Sequence, residues 1–170
     1  MRTSSDIIAA MPSVAEITVA AIAESEDRFL VVEERIQHRL VFNQPAGHVE
    51  AGETLLEAII REVREETAWR FEPRGFIDAY LWCNPATGRS TLRFAFTGTV
   101  HDHDPHQRLD HGIVGTHWLS RAELAERGPR LRSPLVLRCI DDYLGGSIHA
   151  LSSVGTLNLS NAGEVAAQTV

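Results

Sequence analysis

The chain has 170 residues, 44% of them hydrophobic, and a formal charge of −7. That length suits one domain with a full core and some extra chain at its ends. The charge argues against broad binding to nucleic acid, which needs a basic footprint, and no apolar run approaches the roughly 20 residues that cross a bilayer.

The first residues, MRTSSDIIAAMPS, lack the apolar core of a secretion signal, so a soluble cytoplasmic protein is expected. Cys83 and Cys139 are far apart and make no CxxC pattern; free, buried thiols are the expectation. Then Ile17 to Ala23 reads as a buried strand and Phe29 to Glu33 as a second, with a turn of Glu24 to Asp27 making the pair a hairpin. Leu40 to Phe42 continues extended structure until Pro45-Ala46-Gly47 breaks it. The clearest helix spans Thr54 to Ala68, with Leu55, Leu56, Ile59, Ile60 and Val63 on one side at helical spacing. Phe76 to Cys83 and Thr91 to Val100 flank the turn-like NPATGRS and predict a second hairpin. A polar loop, HDHDPHQRLDHG, leads to a short strand ending near Trp118. Ser120 caps a short helix, Arg121 to Glu126. Ser133-Pro134 starts another, running to about Leu144 and stopping at Gly145-Gly146. From Ser147 the chain is small and polar without a sustained period, which predicts a flexible or weakly packed tail.

The Thr54–Ala68 helix crowds its charges. On a wheel of about 100° per residue, Glu62, Glu65 and Glu66 fall within an arc of about 100° at the border between core and solvent. Like charges at this spacing repel, and a divalent cation offsets that repulsion. Glu57, Arg61 and Arg64 take the opposite, exposed face, where Glu57 and Arg61 make a favourable i,i+4 pair. A charge run on a helix is most often a solvated stripe. Here, however, Gly47 and Gly52 just upstream permit close approach of backbone to a ligand, and a carbonyl there can join carboxylates around magnesium or manganese.

Gly47, five residues, Glu53, seven residues, Arg61-Glu62, Val63, then Glu65-Glu66 resembles the Nudix box. Ala68 and Trp69 stand where that family has glycine and an aliphatic residue. NQPAGHVEAGETL, LRFAF and LRSPLV further resemble the bacterial NudJ-type phosphatase subgroup. The resemblance implies an α/β Nudix fold: a mixed β-sheet sandwiched between helices, with a catalytic loop–helix–loop. It places the domain at residues 14–146, between an N-terminal extension (1–13) and a flexible C-terminal tail (147–170). It implies that Glu62, Glu65, Glu66 and the Ala46 carbonyl hold Mg2+ (Mn2+ may substitute), that Arg61 holds the glutamates by ion pairs, and that Glu53 braces the loop. The reaction implied is magnesium-dependent hydrolysis of phosphoanhydride bonds, with phosphate released from nucleoside tri- or diphosphates or from hydroxymethylpyrimidine or thiamine diphosphate. The competing readings are a pyrophosphatase acting on ADP-ribose-like dinucleotides or oxidised dNTPs, and a non-catalytic nucleotide sensor. Sensors usually lose box glutamates and carry a DNA-binding domain; here every box carboxylate is retained. A small phosphorylated substrate, no stable nucleic-acid or membrane partner, and a monomer or homodimer are expected.

Outside the box, Arg93 lies on a strand either facing a cleft, where it holds phosphate, or facing solvent. Arg132, just before the Ser133-Pro134 helix start, contacts phosphate or bridges to the box helix. Trp82 and Tyr80 share one strand face and either stack on a substrate ring or pack. Asp110 is a candidate for a later acidic contribution to the metals, whereas His101 to His106 reads as a solvated loop.

Overall fold

The computed structural model describes residues 14–155; the expected extension 1–13 and the tail from residue 156 lie outside the described residues. Seven strands form one mixed sheet. The main path runs β3 (Arg39–Asn43), β2 (Arg28–Ile36), β1 (Ala15–Ser25), β6 (Ser90–His101), β5 (Arg70–Cys83). Two strands lie off this path: β4 (Ala46–His48) pairs with β1, and β7 (Ile113–Leu119) pairs with β2. β1 runs parallel to β6 from Ala15 to Ala23. Its Thr18–Ala23 segment is buried throughout, as a strand covered on both faces must be.

Helix α1 (Leu55–Thr67) covers one face of the sheet, where Ala58, Ile59 and Val63 pack on Val19, Ala21 and Phe96. Helices α2 (Arg121–Glu126) and α3 (Leu135–Leu144) cover the other, where Leu124, Cys139 and Ile140 pack on Ile22, Val31 and Ile77. The alternation of Ala21 and Ile22 between these clusters is the period of two expected of a strand. The sheet is therefore sandwiched between helices.

Both predicted hairpins form. The first closes tightly, with Ser25 opposite Arg28 and both loop residues, Glu26 and Asp27, at positive φ, the conformation that matches strand twist in two-residue hairpin loops. The second pairs Cys83 with Ser90. Two local expectations need correcting. Pro45-Ala46-Gly47 does not end extended structure, because Ala46–His48 pairs with β1. Ile60 is 42% exposed; it sits about 100° round the helix from Ile59, at the edge of the apolar stripe.

The boundary drawn after Gly146 is not where packing ends. Phe76 and His149 exchange both backbone hydrogen bonds, at 2.9 and 2.7 Å, and Leu151 packs against the α1-side core. Removing Ser147–Val170 is therefore expected to lower the melting temperature by about 5 °C, the size of a loss of a couple of kcal/mol in a chain this long. An unchanged melting curve would show that the 147–155 segment adds no stability.

Candidate active site

The box helix begins with a reciprocal cap: the Thr54 hydroxyl accepts from Glu57 N–H and the Glu57 carboxylate accepts from Thr54 N–H. Glu57 is thus engaged at the first turn, and the expected Glu57–Arg61 pair does not form. Arg61 instead bends its long side chain back into the loop. Its Nε and Nη2 donate to the two Glu53 oxygens at 2.6 and 2.9 Å, Nη1 to Glu62 at 2.8 Å and Glu65 at 3.1 Å, and Nη2 also to the His48 carbonyl. One planar guanidinium serving five acceptors is a geometry that lysine cannot reproduce. Glu53 holds Arg61 and accepts from Glu50 N–H.

The helix ends at Ala68, whose φ of 60° places an alanine in the left-handed region usually given to glycine. The polar loop after β6 satisfies this end. Asp104 N–H donates to the Ala68 carbonyl, the Gln107 side chain to that of Arg64, and Asp110 N–H to that of Glu65 at 2.9 Å. These bonds carry Asp110 to the rim of the carboxylate cluster.

Glu62, Glu65, Glu66, Arg61, Ala46, Asp110, Arg93, Arg132 and Trp82 all line one cavity of about 850 Å³. Arg93 is no surface residue. It is 7% exposed, and its Nη1 reaches Asn43 and Gln44 only at 3.5 and 3.4 Å; burial pulls its pKa down. Arg132 does not bridge to the box helix; its Nε lies 3.6 Å from Glu34. Tyr80 is buried, with its hydroxyl donating to Asp142 at 2.8 Å, so it ties α3 to the sheet and only Trp82 faces the cavity. His101 to His106 lie outside the lining.

The NUDIX domain family profile matches residues 14–139. The chain belongs to the Nudix family. It is similar to Phosphatase NudJ of Escherichia coli K12, at 40% identity over 142 residues that cover 84% of this chain and 92% of that protein; the Shigella flexneri protein of the same name matches equally. A solved NUDIX hydrolase from Nitrosomonas europaea superposes with a TM-score of 0.83 at 39% identity, covering 85% and 98% of the two chains. A UDP-X diphosphatase at 16% identity and TM-score 0.65, covering 85% and 73%, shares the fold. The protein is a Nudix hydrolase, an enzyme that cleaves pyrophosphate linkages, and the sensor reading is set aside.

Nudix hydrolases generally use a divalent metal, and the donors here suit one. Among the described residues no three His, Cys, Asp or Glu side chains are already gathered into a metal-binding group, and Arg61 bonds both Glu62 and Glu65. The chemistry of the set is nevertheless that of a hard cation. Burial, with Glu62, Glu34 and Asp110 nearby, pushes the Glu66 pKa up to about 8 against the pull of the Ala46 N–H. Burial raises Glu62 as well, despite Arg61. Crowded carboxylates of this kind are what a cation would relieve. The β4 ladder supplies a further donor. Ala21 N–H bonds Pro45 and Val49 N–H bonds Ile17, so alternation aims the N–H and carbonyl of Ala46 away from β1, toward the helix.

Sequence reasoning missed Glu34, Thr18 and Asn43, all buried or half-buried in the lining of this cavity, and the buried Gln44, 3.4 Å from Arg93. Glu34 reads as one more charge in VVEER; a register shift between Glu33 and Glu34 in the pairing with β7 attends its inward placement. The cysteine expectation is half corrected: both are free, but Cys83 is exposed and only Cys139 is buried.

Gly47 has a steric role. A Cβ there would lie 2.1 Å from Glu62 Oε1 and 2.2 Å from its Cδ. Gly47→Ala is expected to drive Glu62 off Arg61 and cut kcat by about 10- to 100-fold, in the range for loss of a positioned electrostatic group. Activity within twofold of wild type would show that the Glu62 position is not needed.

Proposed function

We propose that this Nudix hydrolase removes the terminal phosphate from a small phosphorylated compound: a nucleoside tri- or diphosphate, or hydroxymethylpyrimidine or thiamine diphosphate. The observation that supports this most directly is the gathering of Glu62, Glu65, Glu66 and Asp110 on one side of a cavity with Arg93 and Arg132 also in its lining, in a chain 40% identical to Phosphatase NudJ. Glu62, Glu65, Glu66 and the Ala46 carbonyl hold Mg2+, with Mn2+ able to substitute. The bound ion supplies charge neutralisation at the phosphate and a lowered pKa for water. The chain's own part is placement. Arg61 and Glu53 hold the carboxylates in register with the loop. Arg132 at the rim takes the polyphosphate end, and Arg93 and Trp82 take the remainder. Phosphoryl transfer draws mostly on this positioning and charge complementarity.

The test is a release assay with magnesium across nucleotides, hydroxymethylpyrimidine diphosphate, thiamine diphosphate and ADP-ribose. Phosphate is expected as the first product, and EDTA is expected to abolish turnover. Pyrophosphate or a nucleoside monophosphate from ADP-ribose as the first product would give the pyrophosphatase reading instead. Full activity after thorough chelation would overturn the metal assignment.

A further inference from the structure

The floor of the cavity holds polar atoms that the carboxylate chemistry does not use. Thr18 Oγ1, Glu34 Oε1 and Arg93 Nε are buried without a hydrogen-bond partner, Glu34 Oε1 having only the Arg132 Nε at 3.6 Å, beyond hydrogen-bond reach, and all three residues line the same cavity. They come from three strands, β1, β2 and β6. Only one further orphan atom of this kind, on His117, occurs among the described residues. Buried polar groups without partners are costly, so three in the lining of one cavity point to a ligand that completes them.

The sheet register orders this floor. Thr18 pairs with Arg93, and Arg93 with Tyr80, so the three side chains form a row on one face across β1, β6 and β5. The next row toward the mouth is Glu16, Thr91 and Trp82. Trp82 therefore stands one step outward from Arg93 on the same face, half-buried beside the α3-side core. Tyr80 is held by Asp142 and has no spare group. Gln44, 3.4 Å from Arg93 Nη1, is held by its Nε2 donating to the Val136 carbonyl at 2.6 Å.

The chemistry of the open atoms is specific. Arg93 Nε only donates, the Glu34 carboxylate only accepts, and the Thr18 hydroxyl does either. A phosphate group is acceptor-only when ionised; it gives Glu34 no donor and competes with it for Arg132, which lies 3.6 Å away. A group that presents a donor beside an acceptor satisfies both, and the indole of Trp82 offers a flat partner for a ring. We propose that Thr18, Glu34 and Arg93, walled by Trp82, recognise a heteroaromatic ring carrying an adjacent donor and acceptor on its edge, and so select the non-phosphate part of the substrate. This rests on the hydrolase reading above and assigns Arg93 to the ring and Arg132 to the phosphates.

The test reads binding without turnover. Calorimetry on the metal-free protein compares the four common nucleoside monophosphates with ribose 5-phosphate, which keeps sugar and phosphate and lacks the ring. At least one nucleotide is expected to bind tenfold or more tighter than ribose 5-phosphate. Thr18→Val removes the hydroxyl at constant shape, and Glu34→Gln removes the pure acceptor; each is expected to reduce that preference by about tenfold, with melting curves confirming the fold. Equal binding of all five ligands by the wild type, or an unchanged preference in both folded variants, overturns the proposal. A protein that shows the preference yet releases no phosphate with magnesium would instead count against the terminal-phosphate reading alone.

Discussion

Glu66→Gln is expected to lower kcat by about 10²-fold or more, the size typical of losing a general base or a key electrostatic stabiliser. The substitution keeps shape and a hydrogen-bond acceptor for Ala46 N–H, and removes the charge. Stability should move the other way. Because the folded Glu66 holds its proton to about pH 8 and an unfolded glutamate releases it near 4.5, the folded state binds more protons between those values. Metal-free stability then falls as pH rises through that window. The variant lacks this loss, so at pH 8 its melting temperature without metal should exceed that of wild type, while the two converge near pH 4.5. Glu57→Gln is the control on the same helix. Glutamine serves the capping box nearly as well, so kcat should change by less than about twofold for an exposed group of this kind. Equal, small effects in both variants would defeat the catalytic assignment of the helix.

Arg61→Gln should produce the largest loss of stability among single changes at the site. It strips the donor from Glu53, Glu62, Glu65 and the His48 carbonyl at once. Removing one partner of a buried ion pair costs about 3–5 kcal/mol; Arg61 is 22% exposed, which lowers the expectation to about 2–3 kcal/mol after solvent screening. In a chain of this size that is about 5–10 °C of melting temperature. Magnesium should restore part of the loss, since a cation then meets the released carboxylates, and kcat should fall by about 10- to 100-fold because their positions are no longer set. Arg61→Lys should fall between, as one ammonium cannot span the fork. A melting temperature within 1 °C of wild type, or no gain from magnesium, would show that the ion pairs do not hold the loop.

The local order of elements was legible because its signals are local. The Ser120 cap, the two hairpins and the apolar stripe of α1 each depend on residues a few positions apart. The box spacing likewise identified Glu62, Glu65, Glu66, Arg61 and Glu53 as one constellation before any fold was known. Partner choice was harder to read. Arg61 and Glu57 have the spacing of a helical ion pair, yet the capping box claims Glu57 and the loop carboxylate Glu53 claims Arg61. Spacing along a helix cannot anticipate that competition, because the loop that returns beside the helix is outside the helix period.

By itself, the sequence determined the family, the carboxylate helix and the tight turns that flank it. Only the tertiary structure decided what surrounds them. β-pairing across 75 positions sets Thr18 beside Arg93, and a loop that caps α1 brings Asp110 to Glu65. A backbone ladder turns the Ala46 carbonyl toward the helix, and Gly75 and Phe76 receive residues 148–149 where the sequence suggested a loose end. These contacts join segments far apart in the chain, and burial then assigns each polar group its charge and its need for a partner. That is why Glu34 went unremarked in the sequence and Arg93 could face either a cleft or solvent, whereas in the fold both are buried or half-buried in the lining of one cavity.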